Sequence, residues 1–274
     1  MNLFGAARKN EQGFTFRKMK PRDVEAALDI IEDHDEDDAE AAAYSMSGDL
    51  SGFYVVEAEG RVAGVTGYSR IMDAPTSAWL SWTYVHDDMR KRGIGSFMME
   101  ELRFALAKTK VERLFIETSD YTEDGVDIYA EARRFYERCG ATRELVIEDF
   151  YQPGESRYIY RLALEMNSYF TPEESAQGSV VFTDIDVMQE SDTAFGLYWE
   201  EIDNEPDDAR ERLQALIDEA KGEGAHAIFA SLPSQLSLVA ASQLQSAGFQ
   251  NIGNVSDFYG PGAYDSYWAL YLNR

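Results

Sequence analysis

Chemistry on a phosphate-bearing ligand has one clear home in this sequence. Arg90-Lys91-Arg92-Gly93-Ile94-Gly95 follows an apolar run that ends at Val85, and it precedes Met98, Met99, Leu102, Ala105 and Leu106 at three-to-four spacing. That spacing predicts an amphipathic helix. Gly93 and Gly95 remove side chains, so a ligand can come close to the backbone. The unbonded N–H groups at a helix start, with the helix dipole, favour a phosphate. Arg90, Lys91 and Arg92 add three cations. A solvated basic turn with a helix cap satisfies the same residues, and the loop alone does not choose between the two. The loop is too short for a Walker A motif and lacks the G-x-G-x-x-G of a dinucleotide fold.

Other reactive residues point elsewhere. Cys139, the one cysteine, stands between Arg138 and Gly140 with no histidine nearby in sequence, which reads as a packed thiol rather than a nucleophile. His34, His86 and His226 have no metal-ligand spacing, so no metal is expected.

The surrounding chain must position that loop. Its 274 residues suggest about two domains. With 45% apolar and 13% aromatic residues it can build a core. No apolar run approaches the roughly 18 residues a membrane span needs, and no apolar stretch follows Arg8 and Lys9 as a signal peptide would require. With no internal disulfide available, a reducing, cytoplasmic setting is expected. The net charge of −25 argues against nucleic acid as a partner. That charge is uneven: residues 166–274 hold 4 basic and 18 acidic residues, against 21 and 32 in residues 1–165. Binding of a polyanion falls to the first part.

Strand and helix patterns alternate. Phe14–Met19 alternates like a strand, and Pro21 opens a helix bearing Val24, Leu28 and Ile31. Phe53–Ala58 and Arg61–Ser69 flank Glu59-Gly60 as a hairpin would. Ala78–Val85 reads as a strand, Leu114–Glu117 as a buried strand, and Ile128, Ala132, Phe135, Tyr136 and Cys139 as the stripe of a second helix stopped by Gly140. Leu145–Tyr151 and Arg157–Leu164 read as closing strands around Pro153-Gly154. This predicts an α/β domain with a mixed sheet over residues 14–165, and a polar linker at 166–177.

The chain also repeats itself. Asp149-Phe150-Tyr151-Gln152-Pro153-Gly154 returns as Asp257-Phe258-Tyr259-Gly260-Pro261-Gly262, an offset of 108. The same offset places Gly140 on Gly248 and Ala132 on Ala240. Upstream, Asp207–Gly222 reads as a helix before the strand Ala227–Ala230. A duplicated half-domain over residues 178–274 follows from the match and the order of elements together.

Two of these segments resemble the GNAT acetyltransferase superfamily. Arg90-Lys91-Arg92-Gly93-Ile94-Gly95 after a strand is similar to its Q/R-x-x-G-x-G/A acyl-CoA motif, and Ala132-Arg133-Arg134-Phe135-Tyr136-Glu137-Arg138-Cys139-Gly140 to its second motif. They occur in the family's order. Ala141 replaces a usual aromatic, Ser119–Tyr129 is longer than usual, and Ser119 and Asp120 stand where an Asn is usual. The resemblance implies an α/β GNAT fold that binds acetyl-CoA and uses no metal. The pyrophosphate would lie on the backbone of Arg90, Lys91, Arg92, Gly93, Ile94, Gly95 and Ser96. The pantetheine arm would pair with Thr83, Tyr84 and Val85, and an N–H near Val85 or His86 would steady the oxyanion. An amine would attack directly. Tyr136 would protonate the thiolate. Glu117 would be the base, with His86 and Asp87 as rivals.

Residues 178–274 would then be a truncated, degenerate GNAT-like half. Aligned with Arg90–Gly95, Asp203-Asn204-Glu205-Pro206-Asp207-Asp208 has no glycine and no cation, and four of its six residues are acidic. At offset 108, Phe135 and Tyr136 become Gln243 and Leu244. This half would pack on the first domain's sheet or wall the acceptor cleft; a homodimer contact is a less favoured use. The function expected is an acetyl-CoA-dependent N-acetyltransferase acting on a small-molecule or peptide amine. The alternatives are a catalytically reduced GNAT scaffold that binds or regulates, and a transferase using another acyl donor. Glu32–Glu40, rich in carboxylates, reads as a solvated face or as a lure for a cationic amine.

Overall fold

A computed structural model describes residues 8–164, 178–189 and 191–272. The expected linker at 166–177 lies outside the described residues, as does Glu190.

The first half runs β1 (Arg8–Lys9), β2 (Thr15–Lys18), α1 (Val24–Glu32), α2 (Glu36–Met46), β3 (Phe53–Ala58), β4 (Arg61–Ile71), β5 (Ala74–Val85), α3 (Ile94–Leu106), β6 (Arg113–Ser119), the small hairpin β7 (Thr122–Glu123) and β8 (Val126–Asp127), α4 (Ala130–Arg138), β9 (Thr142–Gln152) and β10 (Glu155–Ala163). The second runs β11 (Ser179–Val187), β12 (Ala194–Ile202), α5 (Ala209–Gly222), β13 (Ala227–Pro233), α6 (Ser234–Ser246), β14 (Gln250–Gly260) and β15 (Ala263–Tyr271). Sequence patterning therefore places most of the main elements of the first half. It misses β11, α2 and the hairpin β7–β8, the last two lying in polar stretches without a clear period.

By contact density the chain divides into two compact units. One holds residues 8–116 and 162–164; the other holds 117–161 and 178–272. In the first unit α1 and α2 cover one face of the sheet, burying Ala27, Ile31, Ala42 and Met46 against Val55 and Val65. α3 buries Met98, Met99, Leu102 and Leu106, the stripe its spacing predicts. In the second unit α5 and α6 bury Leu213, Ile217 and Leu244 with Phe182, Ile228 and Trp268. Burying side chains of this size stabilises by roughly 1.5–3 kcal/mol each.

The duplication is written in the hydrogen-bond register. The first sheet has the order β1-β2-β3-β4-β5-β6-β10-β9 and the second β11-β12-β13-β15-β14, so the second repeats the run β4-β5-β6-β10-β9. In the closing hairpins, Glu155↔Gln152, Arg157↔Ile147, Tyr158↔Val146, Ile159↔Leu145, Tyr160↔Arg143 and Arg161↔Thr142 become Ala263↔Gly260, Asp265↔Val255, Ser266↔Asn254, Tyr267↔Gly253, Trp268↔Asn251 and Ala269↔Gln250. Each pair is displaced by 108, and the two bulges fall at the same places. Asp149 and Asp257 share left-handed φ values of 53° and 56°. Their carboxylates accept from Gly154 N and Gly262 N at 2.7 Å in both turns. Asp tolerates this backbone better than most residues because its side chain bonds locally. Each preceding helix ends in a left-handed glycine, Gly140 at φ 89° and Gly248 at φ 95°. Ala141 N and Phe249 N each return to a carbonyl five residues back, Tyr136 O and Leu244 O, at 3.0 Å.

Within the second unit the β9–β10 hairpin packs on the second sheet. Phe150 lies 5.0 Å from Phe229 between ring centroids. His226 Nε2 donates to Asp149 O at 2.8 Å, and Tyr271 donates to Glu148 O at 3.0 Å. Leu145 meets Gly253, where a Cβ would lie 2.4 Å from Leu145 Cδ1. These two residues are equivalent at offset 108, so the hairpins meet through matching positions. The second half does pack on a strand of the first half's sheet, the first of the two roles expected of it.

Candidate functional site

The loop Arg90–Ser96 belongs to the first unit. β5 pairs in parallel with β6 over only three residues, Ser77–Trp79 against Arg113–Phe115. Its other edge pairs with β4, where the register slips between Val65↔Tyr84 and Gly67↔Ser81. Trp82 sits in that slip with a positive φ of 39°, a costly geometry for a bulky residue that bulges tolerate. Gly67 permits the close approach, since a Cβ there would lie 2.8 Å from Phe53 Cδ1. Trp82 and Tyr84 pack against the α1–α2 core, while the Thr83 hydroxyl bonds Thr66 Oγ1 at 2.9 Å. β5 thus ends in Thr83–Val85 beyond the short run where it pairs with β6.

The chain then turns. His86 N donates to Ala63 O at 3.1 Å, and buried Met89 anchors the turn below. Lys91 and Gly93 both adopt left-handed backbone, φ 60° and 86°. Such alternation turns successive N–H groups to one concave side. Gly93 caps α3, and the first bond of that helix is Phe97 N to Gly93 O, 3.0 Å. The N–H groups of Ile94, Gly95 and Ser96 have no intrahelical acceptor. Gly93 and Ser96 are exposed, and with Arg8, Lys9, Gln12 and Phe97 they line a cavity of about 450 Å³. Arg8 is held there by Glu101, 3.0 Å away, and lies 3.9 Å over the Phe104 ring. Sequence reasoning did not place this strand beside the loop; Arg8 and Lys9 carry no signal beyond their charge.

The loop cations have partners that a phosphate can displace. Arg90 meets Asp87 at 2.8 Å and donates to Val85 O at 3.2 Å. Arg92 meets Glu59 at 2.5 Å. Both guanidiniums are about two-fifths exposed, and pairs of that kind are worth about 0–1 kcal/mol. His86 stands 2.8 Å from Asp88, which pairs with Arg61 at 2.6 Å. His34 Nδ1 lies 3.4 Å from Arg90; burial, and then the charge of Arg90, push its pKa down. Within the acidic stretch, Asp35 caps α2 through Asp38 N at 3.0 Å, and Asp38 accepts from the Tyr84 hydroxyl. Glu32, Asp33, Glu36, Asp37 and Glu40 are exposed.

Tyr136 and Glu117 belong to the second unit. Tyr136 is buried on α4, its ring 5.6 Å from Phe135. Glu117 stands near the end of β6 with both oxygens engaged: Tyr151 donates to Oε1 at 2.9 Å and Arg157 to Oε2 at 2.5 Å. Burial opposes the charge of Arg157, but Glu117, Tyr267 and Tyr151 outweigh it and push its pKa above the ordinary value. The long segment before α4 is pinned. Asp127 and Ser119 O hold Arg133. Asp120 accepts from Ser156 N at 2.7 Å and from the Tyr158 hydroxyl at 3.3 Å. Asp120, near the family's usual Asn, is thus committed to the protein's own backbone. Arg157 went unnoticed in the sequence, although its place in the repeat, opposite Asp265, marks it.

Among the described residues, the turn before α5 has no left-handed residue to match Lys91 and Gly93. β12 pairs with β13 over three residues, Ala194–Gly196 against Ala227–Phe229, repeating the short parallel run of β5 and β6. Beyond it, Trp199 Nε1 donates to Ser231 O at 2.8 Å, tying the two strands together. Asp208 stands at the start of α5 in place of glycine, and Leu244 is fully buried.

The fold and the loop are similar to those of GNAT acetyltransferases. The profile of the acetyltransferase (GNAT) domain matches residues 49–140. A protein from Desulfovibrio desulfuricans assigned to the GNAT family is 27% identical, with a TM-score of 0.50 over 56% of this chain and 100% of its own. The ribosomal-protein-S18-alanine N-acetyltransferase of Escherichia coli is 21% identical, with a TM-score of 0.45 over 57% and 99%. The aminoglycoside 6'-N-acetyltransferase of Enterococcus faecium is 13% identical, with a TM-score of 0.46 over 56% and 99%. No curated sequence matches. Residues 49–140 match the GNAT acetyltransferase domain, and a smaller sheet of related strand order follows in the chain. Among the described residues no helix is long and apolar enough to cross a membrane.

Proposed function

We propose that the chain is an acetyl-CoA-dependent N-acetyltransferase of the cytoplasm, with the transferase domain at 14–165 and a half without cofactor site at 178–274. The observation that carries this is the left-handed Lys91–Gly93 turn, which opens α3 onto an exposed cavity bordered by Arg8 and Lys9 and by Glu100 and Glu101. Its N–H groups suit the pyrophosphate of acetyl-CoA, and Thr83–Val85 offer a strand edge to the pantetheine arm. The thioester carbonyl meets a backbone donor near Val85 or His86. An acceptor amine attacks that carbonyl directly. Glu117 removes the ammonium proton, and the Tyr136 phenol returns one to the departing thiolate. The acceptor is a small-molecule or peptide amine, and Glu32–Glu40 favours a cationic one. The second half supports the first structurally.

Isothermal titration of the full chain with acetyl-CoA tests the reading. One site per chain is expected. Two sites, or none, reject it.

A further inference from the structure

Glu117, Arg157, Asp265 and Tyr267 form one polar cluster in the second unit, with Asp265 and Tyr267 buried and Arg157 and Glu117 half-buried. Arg157 donates to Glu117 at 2.5 Å and lies 4.7 Å over the Phe150 ring, with its side chain 14% exposed. Asp265 is 2% exposed and accepts from the Tyr259 hydroxyl at 3.3 Å. Tyr267 also bonds Asp265 and lies within Coulomb range of both Arg157 and Glu117. Arg157 itself lies within Coulomb range of Asp265.

The repeat explains why these groups meet. Arg157 and Asp265 are equivalent at offset 108, as are Tyr151 and Tyr259. Leu145 and Gly253, also equivalent, touch, so the hairpins meet through matching positions. Here the counterparts carry opposite charge. Each tyrosine serves the carboxyl of its own half: Tyr151 that of Glu117, Tyr259 that of Asp265.

We infer that Asp265, from the second half, is a positioning residue that sets how tightly Arg157 holds the Glu117 carboxylate. This rests on the reading of Glu117 as base. When Asp265 is neutral, Glu117 alone among these carboxylates balances the Arg157 charge. When Asp265 ionises, Arg157 is shared between two carboxylates, and the Glu117 carboxylate is held less tightly. Burial pushes the Asp265 carboxyl up to about 7, against the bonds from Tyr259, Tyr267 and Ser231 and the charge of Arg157. The exchange therefore falls within the working range of an enzyme at neutral pH.

The test follows the full chain by NMR from pH 5 to 9, using the carboxyl carbon of Glu117 and the guanidinium nitrogens of Arg157, assigned with E117Q and R157K. Both signals are expected to step near pH 7 in the wild type, and D265N is expected to abolish the step. Because both hydroxyls favour ionised Asp265, Y259F/Y267F moves the step to higher pH. In turnover, the rise of kcat from pH 6 to 8 is expected to be at least fivefold smaller in D265N, with KM for acetyl-CoA unchanged. A step that persists in D265N overturns the inference. So does a D265N kcat profile that overlays the wild type while E117Q is slow. If E117Q keeps the wild-type rate, the base assignment alone has failed and the NMR step decides. If D265N does not fold, an unmoved step in Y259F/Y267F overturns it.

Discussion

The two closing hairpins share six register pairs at one offset, whereas the two turns that lead into α3 and α5 have opposite character. Arg90–Gly95 brings three cations and two glycines; Asp203–Asp208 brings four carboxylates. The hairpin register is fixed by bulges and by the left-handed Asp149 and Asp257, where a one-residue slip would turn every buried side chain outward. On the reading proposed above, the helix-entry turn of the first half serves a phosphate and that of the second half does not. The second half then keeps what the fold needs and lacks what a phosphate needs. Trp199 shows the same. It aligns with Trp82 of β5, which packs on the α1–α2 core. Lacking those helices, the second half uses its tryptophan to tie β12 to β13.

The contrast breaks most sharply at the turns. Gly93→Asp with Gly95→Asp is expected to weaken acetyl-CoA binding at least a thousandfold by titration, because side chains and negative charge fill the cradle. Asp207→Asn with Asp208→Asn should leave it within twofold. A large effect of the second pair would place a ligand in the wrong half.

The next test compares Tyr136 with Leu244. Tyr136→Phe is expected to lower kcat by roughly 10²–10⁴ with little change in acetyl-CoA affinity, as loss of a positioned general acid does. Leu244→Phe should leave kcat unchanged and alter only stability. A wild-type rate in Tyr136→Phe returns that ring to the core.

Asp265 and Arg157 differ in how they carry charge when buried. A carboxyl whose pKa is raised in the folded state destabilises that state as pH climbs from the unfolded value of 3.8 to about 7, and the loss is complete above it. D265N should therefore be more stable than wild type by roughly 2–4 kcal/mol at pH 8 and by clearly less at pH 5, read by urea denaturation. An equal gain at both pH values would show that Asp265 does not titrate in this range.

Gly253 and Leu145 give the smallest effect. Gly253→Ala places a Cβ against Leu145 on a backbone with φ 142°, and should cost about 1–3 kcal/mol. Leu145→Ala in the same chain should recover part of that loss. No recovery would mean that backbone strain, not the contact, sets the cost.

Much of this was legible in the chain itself. Gly93, Gly140 and the Asp-Phe-Tyr turns mark positions where backbone shape restricts residue type, so they could be read directly. The helix stripes of α3 and α5 follow from burial. Other parts were not legible. α2 begins inside Glu32–Glu40, where capping by Asp35 rather than apolar spacing starts the helix. The hairpin β7–β8 is held by Arg133, six positions beyond Asp127 on α4, a spacing with no strand or helix period. The engagement of Glu117 by Tyr151 and Arg157 joins residues 34 and 40 positions away, beyond the reach of any local spacing.

The packing of β9 on the second sheet also has a consequence for biosynthesis. Phe150 is nearly inaccessible to water, and it packs on Phe229 of β13. At a synthesis rate of about 5–20 residues per second, the roughly 80 residues between them take about 4–16 s to emerge. Throughout that interval the nascent first half carries an uncovered aromatic side chain on a finished strand. A ribosome stalled after Ala163 would expose a surface that chaperones bind, and release of stalled chains truncated after Leu164 or after Tyr271 should separate aggregating products from soluble ones.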